Sequence, residues 1–137
     1  MKKEYERITL EWLNKADSDL RFARASLEEF DDFYSQMCIL SHDAGEKYLK
    51  TYISSHGVKP ERIHDLATLL KECQRLSVNP EDFIIIEEGC RILNRYYTPL
   101  KYPSHYPSAT KEQAKEAIEI ATDISNFIKR QCNCSGA

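Results

Sequence analysis

Apolar residues recur at intervals of three and four along almost the whole chain. Ile8, Trp12, Ala16, Leu20, Ala23 and Leu27 mark one face, with Lys, Asp, Glu and Arg between them, and predict an amphipathic helix over about residues 4–28. Phe30-Asp31-Asp32-Phe33 reads as the turn after it. Phe33, Met37, Leu40, Ala44, Tyr48 and Tyr52 keep the rhythm and predict a second helix over about 33–55. His56-Gly57 then offers a C-terminal cap, and Pro60 blocks continuation. Leu66, Leu69, Leu70, Cys73 and Leu76 give a shorter third helix over about 61–76. Asn79-Pro80 opens a fourth, in which Phe83, Ile86, Cys90, Leu93 and Tyr97 repeat at 3, 4, 3 and 4. The run Phe83-Ile84-Ile85-Ile86 alone would suit a strand, but the rhythm beyond it decides for helix. In Thr110-Lys111-Glu112-Gln113 the hydroxyl and the glutamine are spaced to cap a last helix reciprocally. Its stripe is Ala114, Ala117, Ala121, Ile124 and Ile128.

Helices joined by such short turns run antiparallel to their neighbours. The expected fold is therefore all-α: an up-and-down antiparallel helical bundle of four main helices plus one shorter helix. At 137 residues the chain suits one domain with one core, expected over 1–131, followed by a disordered tail at 132–137. A composition of 42% hydrophobic and 30% charged residues is that of a globular protein rather than a disordered chain. No stretch approaches the roughly 20 apolar residues of a membrane span. The N-terminus, Met1-Lys2-Lys3-Glu4-Tyr5-Glu6-Arg7, lacks the apolar segment of a signal peptide, so a cytoplasmic location without membrane contact is expected. Five cysteines without framework spacing fit reduced thiols. Cys38, Cys73 and Cys90 fall in apolar stripes and read as small core residues. Cys132-Asn133-Cys134 has no second ligand pair to complete a metal site.

Charge adds something the periodicity does not. The formal net charge of −3 argues against a protein that coats nucleic acid nonspecifically. Residues 89–111, however, contain Arg91, Arg95, Lys101 and Lys111 and no acid, leaving 15 Lys and Arg against all 22 Asp and Glu elsewhere. The same segment holds Tyr96, Tyr97, Tyr102 and Tyr106, four of the eight tyrosines, with His105 and the stiffening Pro99, Pro103 and Pro107. Cations that neutralise phosphate, rings that stack on bases and a rigid loop are what a nucleotide or single-stranded RNA site requires. The candidate binding residues are Arg91, Arg95, Tyr97, Lys101, Tyr102, His105 and Tyr106. The same composition also suits a structural loop whose rings cover the end of the bundle and whose charges are solvated.

The rest of the sequence offers less chemistry. Glu46 and Lys50, four apart, are expected to form a surface ion pair on the second helix. His42 and Glu46 share that spacing, and His64 is the third group a metal would need. The expectation is nevertheless that these residues have ordinary roles, with His64-Asp65 capping the third helix. No phosphate-cradling glycine loop and no zinc-binding helix pattern is present, and no metal or cofactor is expected.

Three local runs together give a family resemblance. Ser41-His42-Asp43-Ala44-Gly45-Glu46-Lys47-Tyr48-Leu49-Lys50 lies in the second helix. His64-Asp65-Leu66 opens the third, and Tyr97-Thr98-Pro99-Leu100-Lys101-Tyr102-Pro103 precedes the last. In that order and at those helices they resemble the HEPN family over about residues 8–130. The resemblance implies a homodimer and one of two activities. Many members are metal-independent ribonucleases of toxin or RNA-defence systems. Others bind a nucleotide or pair with a minimal nucleotidyltransferase in toxin–antitoxin-type systems. Here Arg95 and His105 are separated by nine residues, where the ribonuclease pattern has four to six, and Tyr106 follows His105 directly. The expected function is therefore a nucleotide- or RNA-binding interaction protein paired with a minimal nucleotidyltransferase. The alternative is a metal-independent endoribonuclease using Arg95 and His105 as catalytic residues. A purely structural adaptor is a third reading.

Overall fold

A computed structural model describes residues 3–97 and 108–133, and every described element is helical. The elements are α1 (Lys3–Glu29), α2 (Tyr34–Ser55), α3 (Leu66–Leu76), a 3₁₀ turn (Pro80–Phe83), α4 (Ile84–Asn94) and α5 (Lys111–Gln131). The all-α bundle expected from the periodicity is what is found. Three helices are long, and α3 and α4 have 11 residues each, so two are short rather than one.

Helix ends follow the chemistry of their caps. Thr110 accepts from the Gln113 amide while the Gln113 side chain accepts from Thr110, the reciprocal box expected from the sequence. Asp65 caps α3, so that helix starts at Leu66, where its apolar stripe begins, and not at about residue 61 as expected. Residues 56–65 are instead a non-helical connection containing Pro60. Past Asn94 the amides of Arg95, Tyr96 and Tyr97 bond to carbonyls three residues back, tightening the end of α4 into a turn. Phe33, expected to begin the apolar face of the second helix, precedes α2 with φ 67° and an exposed ring against Phe30. The left-handed backbone there turns its side chain away from the core.

α2 is the central element. It packs against α1, α3, α4 and α5. Gly45 faces three core side chains: a methyl group there would stand 3.3 Å from Leu93 Cδ1, which would have to give slightly, and at ordinary contact distance from Ile124 Cδ1 (3.6 Å) and Leu66 Cδ1 (3.7 Å). The core includes Leu13, Ala16, Tyr48, Leu49, Ile53, Leu66, Phe83, Leu93 and Ile124. Cys38, Cys73 and Cys90 are buried as expected, and burial pushes the Cys38 and Cys90 thiols up to about 12, far from nucleophilic use.

A helix surrounded on this many sides cannot keep its polar residues in water. Ser41, His42, Glu46, Lys50, Thr51 and Ser54 of α2 are all buried. The ion pair expected on the surface is inside: Glu46 is 7% and Lys50 4% exposed, with Nζ 2.9 Å from Oε2. Among the described residues, no buried side-chain polar atom lacks a hydrogen-bond partner. No described helix is long and apolar enough to cross a membrane.

Candidate functional site

The polar residues of α2 meet the connection before α3 and the end of α4. Glu46 sits at the centre of this cluster. One carboxylate oxygen accepts from Lys50, and the other lies 3.0 Å from Nδ1 of His64. Lys50 Nζ also lies 5.4 Å from the centre of the Trp12 ring on α1. His42 is fully buried, with Nε2 3.0 Å from the His64 carbonyl oxygen and Nδ1 3.1 Å from Asp43 Oδ1. The late start of α3 leaves that carbonyl outside the helix and available to the ring.

Asp65 closes the cluster on the α3 side. It accepts from the Thr68 amide at 2.9 Å, from the Thr68 hydroxyl at 2.6 Å and from Asn94 Nδ2 at 2.6 Å. Asn94 Oδ1 in turn accepts from the Leu66 amide at 2.9 Å, so α4 and α3 share one cap. The Thr68 hydroxyl first, and then Asn94, hold the Asp65 carboxyl below the usual carboxylate range against the opposing effect of burial. A depressed folded-state value means that this stabilisation is complete above the ordinary aspartate range and is lost as pH falls through the depressed value. Asp65→Ala is expected to cost about 1–2 kcal/mol at neutral pH. In urea titrations repeated from pH 7 to pH 3, Asp65→Asn should lose less stability on acidification than the parent. Parallel curves would show that Asp65 gains nothing from its ionised state.

Tyr97 lies over both imidazoles. Its ring centre is 5.3 Å from that of His42, at 24° between planes, and 5.5 Å from that of His64, at 30°. The basic, tyrosine-rich segment therefore leaves α4 from a stack of three rings. Trp12 also lines a groove of about 620 Å³, together with Tyr5, Ile8, Lys15, Lys47 and Lys59 among others.

The candidate residues taken from the sequence do not all share this place. Tyr97 is in it. Arg91 is exposed on α4 and engaged by Glu88, with Nε 2.8 Å from Oε2. Arg95 is exposed just past the end of the same helix. Lys101, Tyr102, His105 and Tyr106 lie outside the described residues, and so does the separation between Arg95 and His105. Sequence reasoning misses Asp43 and Asn94 altogether and gives Glu46 and Lys50 to the surface. It does carry one usable signal: the spacing of His42 and Glu46 brings in His64 as a third group, and the fold joins all three.

Comparisons with known proteins agree with this architecture. The family model described as HEPN domain matches residues 9–131. Among solved structures, TT1696 from Thermus thermophilus is similar, with a TM-score of 0.75 and 29% sequence identity, covering 90% of this chain and 97% of that one. A comparison with curated proteins finds no match.

Proposed function

The chain belongs to the HEPN family, and on that premise we propose that it is a binding and interaction protein whose basic, tyrosine-rich segment engages a nucleotide or single-stranded RNA. The observation that carries this reading is the stack of Tyr97 on His42 and His64. It anchors the start of the segment on the polar cluster and leaves Arg95, two residues earlier, exposed. Anchoring lowers the ordering cost of a loop that has to close on a phosphate backbone. The proposed assembly is a homodimer paired with a minimal nucleotidyltransferase, in a toxin–antitoxin-type arrangement.

The test is a fluorescence titration with a short single-stranded RNA at rising salt. With three to four phosphates neutralised, affinity should fall roughly 20- to 50-fold between 50 and 200 mM salt. Arg95→Ala and Lys101→Ala should each flatten the salt slope by about 0.7. Salt-independent or absent binding would sink the reading. Cleavage decides the alternative. If the wild-type chain cuts RNA without added metal and His105→Ala does not, the protein is a ribonuclease. If both leave RNA intact, the binding reading stands. Sequencing the neighbouring reading frame tests the partner: a minimal nucleotidyltransferase there supports the pairing, and its absence weakens it.

A further inference from the structure

The groove beside Trp12 is built from three elements. Tyr5, Ile8, Trp12 and Lys15 recur at three and four along α1 and form one stripe of it. Lys47 comes from α2, and Lys59 and Pro60 come from the connection that follows. Gly57, at φ 75°, turns the chain into that connection. A volume of about 620 Å³ lies within the roughly 300–1,000 Å³ of small-molecule sites.

Its charges do not balance. Glu11 is held by Arg7 at 2.8 Å, and Lys47 by Asp19 at 2.5 Å, so these two pairs cancel. Lys50, whose ammonium lies over the Trp12 ring, is answered by Glu46 and adds no net charge. Lys15 and Lys59 are exposed, and neither has an ion-pair partner among the described residues. Two uncompensated ammonium groups therefore meet at an apolar, ring-lined groove, on a chain whose formal net charge is −3.

From this combination we propose that the groove binds a phosphate monoester that carries a flat aromatic group. Such an ester bears about −1.5 to −2 charges at neutral pH, which the ammonium groups of Lys15 and Lys59 match, whereas a carboxylate would leave one of them unanswered. Lysine meets phosphate as a point charge on a flexible stem, so no rigid fork has to be positioned. The rings of Tyr5 and Trp12 offer surfaces against which a flat body packs, and such stacking tolerates any aromatic system. Every residue invoked lies outside the basic segment 89–111, so the site stands whether or not that segment binds RNA.

Trp12 is the only tryptophan in the chain, so intrinsic fluorescence reports on this groove alone. The test titrates the full chain with AMP and, separately, with phenyl phosphate at low salt. Both are expected to change the Trp12 emission in a saturable way, and AMP acting alone would narrow the ligand to a nucleoside phosphate. Lys15→Ala and Lys59→Ala, both at exposed positions, should each weaken binding about fivefold, and the double variant at least about tenfold. Adenosine and inorganic phosphate should each bind less well than AMP, because each lacks one half of the recognised group. A flat titration with both esters would overturn the proposal, even where RNA binds the basic segment. Adenosine equal to AMP would overturn it by showing that the phosphate is not recognised, and inorganic phosphate equal to AMP by showing the same of the ring. Binding that is lost in Arg95→Ala or Lys101→Ala but kept in the Lys15 and Lys59 variants would also overturn it, and would place the ligand on the basic segment.

Discussion

Glu46→Ala is expected to cost about 3–5 kcal/mol of stability, a loss of roughly 2 M in the urea midpoint. The cost comes from what is left behind. Lys50 is 4% exposed, and without Glu46 its ammonium keeps only the face of the Trp12 ring. A buried charge with no partner is far more costly than the pair is beneficial, because desolvation remains while the attraction is gone. The same asymmetry predicts a rescue. Glu46→Leu combined with Lys50→Met removes both charges and fills similar volume, and should return to within about 1 kcal/mol of the parent. A single variant losing less than about 1 kcal/mol would mean that Lys50 reaches water in solution, as an ordinary surface pair does.

Phe83→Ala should cost a similar amount, about 3–5 kcal/mol, for a different reason. Phe83 is 0% exposed and ends the 3₁₀ turn that leads into α4. Its ring meets Tyr52 of α2 edge-on at 5.0 Å and Phe127 of α5 at 4.9 Å, so one side chain links three elements. Truncation forfeits the transfer of the ring from water, leaves a cavity, and breaks two aromatic contacts of about 0.5–1.5 kcal/mol each. Phe83→Leu keeps most of the volume and should cost less than about 1.5 kcal/mol, with thermal unfolding as the measurement. If alanine and leucine were equally tolerated, the interior around the turn would have to collapse freely onto the gap, against the close packing of the three rings.

Much of this protein follows from local sequence. The stripes of α1, α2 and α5 have helical period, so those helices form wherever an apolar partner is available. Thr110 and Gln113 cap α5 by bonds that span three residues and need no tertiary help. Asp65 likewise caps α3 through Thr68, and the basic, acid-free character of 89–111 is visible without any fold. Other features depended on which helix became the middle one. Periodicity assigns a helix one buried face, and on that basis Glu46 and Lys50 fall on the water side. α2 is enclosed by four other helices, and its polar face became interior. That enclosure also joined groups distant in the chain: Glu46 to His64, the His42 ring to the His64 carbonyl, and Asn94 to Asp65. These bonds bridge separations of 18, 22 and 29 residues, which no local rule can register. The sequence by itself thus determined the helices, their caps and the basic segment, because those depend on neighbours a turn apart. Only the tertiary structure decided which charges are buried and which imidazoles meet Tyr97, because burial is a property of the packed bundle and not of any one helix.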